Sequence, residues 1–398
     1  MAPSVFLPAL VYEIGNGAIA PVIALTALDL GASVTTAGFM LALLGVGQVI
    51  GDVPASWLAD RIGDRRAMTV AAALSIIAVV TCASAPSRWV LGIALLVIGA
   101  SNSAFYLARQ SYVSEVAPIR LRARALSTLA GAHRVGLFIG PFVGAVAISI
   151  GGIRSAYVVA AVASAVAALL LFVIPDADRD AERPPPVRGT ASAASMLRDH
   201  RRLFATLGLA VLAVGATRAA RQTVLPLWAD HIGLTPEHTS VVFGLASAVE
   251  MTMFYPSGKV MDHFGRLWAA LPAMLLLGAS MVLLPLTASA LPFTLVAMSM
   301  GLGNGIGSGI MMTLGAGAAP AVNRTRFLSV WRVFSDSGQA AGPVVVAVVA
   351  GAVSLAAGIV SVGIVGLLAA AGLATWAPRY SRFATPRAVA RSRATSDT

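Results

Sequence analysis

Four carboxylates, Glu13, Asp52, Glu250 and Asp336, and five arginines, Arg109, Arg134, Arg218, Arg221 and Arg332, lie inside long apolar stretches of this 398-residue chain. Charge is expensive at membrane depth, so groups placed there face a cavity or one another and mark ion or proton paths. Burial disfavours a carboxylate's charge and a neighbouring guanidinium favours it. Where the two balance, a carboxyl takes up and releases protons near neutral pH, which proton coupling requires. Glu13 stands several residues into the first apolar run, Arg109 nine residues before Pro118, and Arg134 ten after Arg124. At about 1.5 Å of rise per residue, all three fall roughly 10–15 Å from one membrane surface. Two readings of Glu13 stand together: a proton carrier, or a structural partner of Arg109. Glu250, twelve residues before Asp262, lies nearer mid-membrane. Asp336, four after Arg332, is one helical turn from a cation that can neutralise it. Asp52 reads as a structural acid facing the cytoplasm, and His133, beside Arg134, as a structural histidine able to titrate.

The elements that must position these groups follow from composition. The chain is 58% hydrophobic and 11% charged, with a mean hydropathy of +0.83. A soluble domain carries about 25% charge, so lipid is the expected solvent. The single Cys82 excludes an internal disulfide framework. No basic segment precedes Phe6, so the first apolar run is expected to act as an uncleaved insertion signal. A helical span needs about 20 apolar residues, and twelve such runs can be drawn: 6–29, 36–58, 67–85, 89–117, 124–149, 153–174, 203–229, 238–260, 267–287, 291–318, 326–352 and 354–377. The predicted organisation is a six-helix half at 1–175, a linker at 176–202 containing Pro184-Pro185-Pro186, a second six-helix half at 203–378, and a basic tail at 379–398.

Basic residues set the orientation, because they concentrate on the cytoplasmic side. With the N-terminus inside, 21 of the 28 basic residues fall in cytoplasmic gaps, linker and tail, and only Arg88 and Arg154 fall outside. Both termini are therefore expected in the cytoplasm. The net charge of +11 follows from this asymmetry, and a nucleic-acid partner is not implied.

The chain also contains itself twice, at an offset of 202 residues. Ser56-x-x-x-Asp60-x-x-Gly63 returns as Gly258-x-x-x-Asp262-x-x-Gly265, Gly140-Pro141 as Gly342-Pro343, and Arg122-x-Arg124-x-Leu126-Ser127 as Arg324-x-Arg326-x-Leu328-Ser329. Gly31, Pro54, Gly99, Asn102 and Pro118 match Gly233, Pro256, Gly301, Asn304 and Pro320. In this register Gln48 is the mate of Glu250, and Arg134 the mate of Asp336. A duplicated membrane bundle is the architecture of secondary transporters, with substrate bound between the repeats.

The segment Ser56-Trp57-Leu58-Ala59-Asp60-Arg61-Ile62-Gly63-Asp64-Arg65-Arg66, between spans 2 and 3, resembles the loop signature of the major facilitator superfamily. Ser56 stands where its first glycine is usual, and Asp64 where an arginine is usual. Gly131-x4-Gly136-x3-Gly140-Pro141-x2-Gly144 in span 5 is similar to the signature of the superfamily's drug/proton antiporter branch. The resemblance implies an all-α membrane fold of twelve transmembrane helices in two pseudo-symmetric halves. It implies an inner gate in which Asp60 faces a helix N-terminus in span 11, which favours an anion. Arg61, Arg65 and Arg66 would cluster with Glu115, with Gly258, Asp262, Gly265 and Arg266 as the second copy. It further implies that Gly131, Gly136, Gly140, Pro141 and Gly144 seal a contact with span 8, although plain helix packing would use the same small residues. The antiporter branch also carries an arginine in span 4 at a position occupied here by Leu95, so Arg109 or Arg134 must take that role or coupling works differently.

The substrate cavity is expected between spans 1, 4, 7 and 10, which offer Tyr12, Asn16, Asn102, Phe105, Tyr106, Arg218, Gln222, Asn304, Met311 and Met312. This apolar set with a few amides suits small amphiphilic molecules, since methionine adapts to varied shapes. Helix packing alone could select the same residues. The glycine run Gly301 to Gly309 makes span 10 smooth and bendable. No phosphate-binding loop of the G-x-x-x-x-G-K-[ST] kind is present, and no metal-ligand cluster, so no cofactor or metal is expected. The expectation is a monomeric proton-coupled exporter of drug-like compounds in a bacterial cytoplasmic membrane. Its partners would be a small-molecule substrate, protons and the bilayer. The alternatives are a proton-coupled importer or metabolite exporter on the same fold, or a membrane enzyme acting on lipid-linked substrates. The enzyme would need paired carboxylates or a metal at a membrane face, which these acids do not supply.

Overall fold

Backbone amides in lipid must find their hydrogen-bond partners within the protein, so the apolar runs can only be helices or a closed barrel. The computed structural model describes residues 2–116, 122–174, 193–320, 324–381 and 384–385, and among these there is no strand. The first repeat contains α1 (Ala2–Ile19), α2 (Ile23–Asp29), α3 (Val34–Ile62), α4 (Asp64–Ala83), α5 (Arg88–Val116), α6 (Arg122–Gly151) and α7 (Ser155–Val173). After two short helices, α8 (Ala193–Asp199) and α9 (Arg201–Leu203), a π-helical turn at Phe204–Gly208 leads into α10 (Leu209–His231). The chain continues with α11 (Pro236–Phe264), α12 (Leu267–Leu283), α13 (Ala290–Ile306), α14 (Ile310–Ala318), α15 (Arg324–Ala352) and α16 (Leu355–Tyr380). The linker expected at 176–202 lies outside the described residues up to 192.

Eleven stretches among the described residues are long and apolar enough to cross a membrane. The twelfth expected span, α11, has ample length: 29 residues at about 1.5 Å each exceed a ~30 Å hydrocarbon core. It falls short in apolarity because it carries Glu237, His238, Glu250, Lys259 and Asp262. Two expected single spans are each built from two helices. Span 1 divides into α1 and α2 around Pro21, which has no N–H and restricts the residue before it. Span 10 divides into α13 and α14 around Gly307–Gly309, where Gly309 adopts a φ of 77°.

The duplication is visible in the backbone. Gly63 and Gly265, 202 residues apart, hold φ of 89° and 91°, and Gly31 and Gly233 hold 74° and 77°. Only glycine enters that region without Cβ strain, so each pair marks the same turn made twice. Close approaches repeat as well. A Cβ on Gly136 would meet the Leu10 carbonyl, and one on Gly338 would meet the Leu212 carbonyl. Gly140 approaches Ile14 as Gly342 approaches Ala216, and Gly99 approaches Leu44 as Gly301 approaches Ala246.

By their contacts the residues group into two units, Met1–Arg183 with Leu225–Leu245 and Pro184–Val224 with Ala246–Thr398. In the first, α1 packs on α6 and α7, α3 on α5, and α4 on α5 and α7. Its core includes Tyr12, Met68, Phe105, Tyr112 and Leu171. In the second, α12 packs on α13 and α16, and α15 on α16. Its core is built on Phe204, Met274, Leu314, Phe327 and Trp331.

Candidate functional site

The glycine stripe of α6 decides what meets Glu13. Gly136 brings the two backbones so close that an added Cβ would sit 2.5 Å from the Glu13 Cβ. His133, one turn earlier on α6, then lies over the carboxylate. Glu13 is 0% exposed. Its Oε1 accepts from Arg109 Nη1 of α5 at 2.9 Å and lies 2.8 Å from His133 Nδ1. Its Oε2 accepts from the Tyr106 hydroxyl at 3.1 Å and from Asn16 Nδ2 at 3.3 Å. Arg109 also lies over the Tyr106 ring at 4.4 Å and reaches His133 Nδ1 with Nη2 at 3.3 Å. Both carboxylate oxygens are therefore bonded, which a buried charge requires. The Glu13–Arg109 juxtaposition expected from the sequence is present. From α6, however, the side chain that reaches Glu13 is His133 rather than Arg134, which is itself engaged. One position on a helix is a rotation of about 100°, and depth alone does not distinguish the two.

The remaining acids at membrane depth have simpler surroundings. Glu250 Oε2 accepts from Arg221 Nη2 at 2.8 Å, a pairing not anticipated from the sequence. Arg221 is largely buried, and its Nε has no hydrogen-bond partner among the described residues. Asp336 pairs with Arg332 at 3.3 Å with side chains 26% and 54% exposed, and Gln339 donates to its other oxygen. That is the i,i+4 neutralisation the spacing suggests. Asp52 accepts a hydrogen bond from Ser103.

The expected cavity residues divide into three groups. Tyr12 and Phe105 are stacked at 4.0 Å and fully enclosed in the core of their unit, with Tyr12 donating to Asn102 at 2.8 Å. They support the site rather than wall a cavity, because each ring packs against the other. Asn16, Asn102, Tyr106, Arg218 and Met311 are half-buried and Asn304 is buried. Gln222 and Met312 are exposed, Met312 by 74%. Arg218 of α10 donates to Asn304 Oδ1 at 2.7 Å and to the Gly307 carbonyl at 3.0 Å. That carbonyl ends α13 at the break in span 10, where backbone acceptors lose their helical partners, so Arg218 caps the break.

In the loop signature, Asp60 and Arg66 are exposed. Arg61 lies over the Trp57 ring at 4.2 Å. Arg65 donates twice to the Leu171 carbonyl, at 2.7 and 2.5 Å, tying α4 to the C-terminal turn of α7, where a helix favours a cation. The Glu115 side chain lies outside the described residues. In the second copy, Arg266 donates to Ser381 at 2.9 Å, and burial works against its charge while Asp262 favours it. Asp262 is exposed, Gly265 is buried, and a Cβ on Gly258 would meet nothing within 4 Å. The span-5 motif departs from expectation. Gly136, Gly140 and Gly144 pack on α1, at Glu13, Gly17 and Ala18, rather than on span 8, and a Cβ on Gly131 would meet nothing. A glycine stripe seats its nearest helix, and here α1 is that helix. Span 8 is instead met by Phe142, whose ring fills the space above Gly244.

The chain matches the family model described as Major Facilitator Superfamily over residues 5–343 and again over 207–396. Multidrug resistance protein MdtG of Enterobacter lignolyticus is 26% identical over 162 residues, 40% of this chain and 39% of the relative. MdtG of Klebsiella pneumoniae is 25% identical over the same length. The chain thus spans about two-fifths of the length of the curated relatives it matches. Among solved structures, a POT family transporter bound to a thioalcohol-conjugated peptide aligns with a TM-score of 0.80 at 14% identity, covering 95% of this chain and 96% of that one. A bacterial homologue of the lysosomal transporter Spinster aligns at 0.70 and 14% identity, over 95% of this chain and 96% of that one. A D-xylose–proton symporter aligns at 0.69 and 17%, over 94% and 97%. These likenesses show the fold that this chain shares with them. With both repeats matched by the family model, the chain belongs to the major facilitator superfamily and is a multi-pass membrane protein.

Proposed function

We propose that this protein is a drug/proton antiporter that exports small amphiphilic compounds across a bacterial cytoplasmic membrane, with Glu13 as its proton carrier. The observation that carries the reading is the enclosed carboxylate of Glu13, shared by Arg109, Tyr106, Asn16 and His133 from three spans. A carboxylate held by an arginine through one oxygen is charged when paired and neutral when protonated, and protonation releases the arginine. That is a two-state element which a proton can bias. The similarity to proteins named for multidrug resistance supports the substrate class, as do the half-buried Tyr106 and Met311 beside amides. Asp60 with Arg61, Arg65 and Arg66 would form the inner gate, and Arg218, holding the break in span 10, would couple helix bending to substrate binding. Glu250 and Asp336, each already ion-paired, would be subordinate proton sites.

The proposal is tested by reconstituting the purified protein in liposomes and imposing a pH gradient over a panel of lipophilic cations, neutral amphiphiles and sugars. Gradient-driven movement of the amphiphiles, with the sugars unmoved, is expected. Movement of a sugar or metabolite alone would replace the substrate class, and indifference to the gradient would remove proton coupling. Orientation is tested in a Cys82→Ala background. An external thiol reagent should modify Pro236→Cys and spare Thr190→Cys, and the reverse pattern would overturn cytoplasmic termini.

A further inference from the structure

His133 Nδ1 faces two partners that make opposite demands. At 2.8 Å the Glu13 Oε1 calls for a proton between the two atoms. At 3.3 Å the Arg109 Nη2 calls for a lone pair on the same nitrogen, because a guanidinium only donates and does not deprotonate in proteins. A protonated Nδ1 satisfies only the first. With the proton on Nδ1, it bonds Oε1 and opposes the Arg109 N–H. With the proton on Oε1, Nδ1 accepts, and Arg109 can turn its donors to the imidazole. The position of a single proton therefore decides which of two partners Arg109 serves.

The burial gradient gives that proton a direction. Glu13 is fully enclosed, whereas the His133 side chain is 30% exposed. Its second nitrogen, Nε2, has no hydrogen bond to the protein among the described residues. Around the ring, α1 presents Glu13 and α5 presents Arg109 and Tyr106, whose ring stands edge-on to the imidazole at 5.7 Å. Its own helix adds Arg134 next in sequence. Two more helices meet α6: α7 carries no charged side chain, its Tyr157 hydroxyl donating to Thr26 at 3.0 Å, and α11 meets it at Phe142, about two and a half turns beyond His133. Among the described residues, the charged groups bonded to the imidazole, Glu13 and Arg109, belong to the same proton balance.

We infer that His133 is the relay through which Glu13 exchanges its proton, taking a proton at Nε2 and passing another from Nδ1 to Oε1. The step balances. A hydronium ion gives its proton to Nε2 and leaves as water, the Nδ1–H bond breaks, and an O–H bond forms on Glu13. The imidazole ends neutral in the opposite tautomer, and the pair has gained one positive charge, which frees Arg109 from its carboxylate. Reversal through the same atoms returns the proton. The relay rests on the reading of Glu13 as the proton carrier.

The test compares wild type, His133→Gln and Glu13→Gln in proteoliposomes, each measured for pH-gradient-driven efflux, for substrate counterflow without a gradient, and for melting. Glutamine can hydrogen-bond in the place of histidine but cannot relay. The relay predicts that His133→Gln loses gradient-driven efflux at least tenfold more than it loses counterflow. It also predicts that the remaining efflux no longer varies with the imposed pH. Efflux with the wild-type rate and pH profile would overturn the relay. So would a parallel loss of efflux, counterflow and melting temperature, which is what a purely structural histidine gives. If His133→Gln behaves as wild type while Glu13→Gln no longer pumps, the relay alone falls. If Glu13→Gln pumps against a gradient, the reading of Glu13 falls with it. On unmodified protein, infrared difference spectra after a pH jump should show the carboxyl and imidazole bands changing together. A carboxyl band that rises with the imidazole unchanged would also overturn the relay.

Discussion

Positions 202 residues apart carry opposite chemistry on one scaffold. In the first repeat Glu13, Arg109 and His133 form a buried ionic cluster. Their mates in the second repeat are Gly215, Met311 and Ser335. These are also neighbours: a Cβ on Gly215 would lie 2.6 Å from the Ser335 carbonyl, and the Ser335 hydroxyl lies 3.2 Å from the Met311 sulfur. The backbone approach that brings the three places together is the same, set by Gly136 and Gly140 in one repeat and by Gly338 and Gly342 in the other. At these three positions the packing is duplicated, and charge stands in the first repeat only. The ion cluster is therefore not needed to seat span 1 on span 5, because the second repeat seats span 7 on span 11 without it.

This comparison can be broken most forcefully by removing one partner of the cluster. Arg109→Ala should destabilise the protein by about 3–5 kcal/mol, the cost typical of stranding a buried charge, whereas its mate Met311→Ala should cost much less because Met311 is only half-buried. Melting in detergent measures both, and equal costs would show that the cluster carries no particular electrostatic weight. Rewriting the first repeat as the second, with Glu13→Gly, Arg109→Met and His133→Ser together, should recover most of that stability while abolishing gradient-driven transport. A rewritten protein that still pumps would place coupling elsewhere. Next in size are the paired glycines. Gly140→Ala and Gly342→Ala should each cost about 1–3 kcal/mol, as overpacking does, and by similar amounts, because each would press on the carbonyl of a repeat-related residue. Smallest is Asp336→Asn, which breaks a partly exposed i,i+4 pair at a cost of about 0.3–0.5 kcal/mol and should leave transport near wild type. A large loss of coupling there would move the proton site to the second repeat.

Much of the fold could be read from residues. The offset of 202 aligned Gly63 with Gly265 and Gly31 with Gly233, and the matching positive φ values at these turns are its physical cause. Apolar run lengths placed the helices closely, since hydropathy depends on composition alone. The breaks in spans 1 and 10 were less visible, because Pro21 and Gly309 sit in runs that remain apolar on both sides. For the site, helical rise brought Glu13 level with Arg109. Azimuth was the missing coordinate. It put Arg134 in the place His133 occupies and left Arg221 unassigned to Glu250. A signal for the first was present: His133, Gly136 and Gly140 recur at i, i+3 and i+7, one face of a helix, so the face that packs on α1 is the face that carries the histidine.

The most direct measurement is gradient-driven efflux by Glu13→Gln, with counterflow and melting temperature recorded on the same preparation. Glutamine keeps the shape of the protonated carboxyl and cannot release a proton. The account predicts a variant that remains folded and exchanges substrate but no longer responds to an imposed pH gradient. A stable Glu13→Gln protein that still concentrates substrate against its gradient would contradict it.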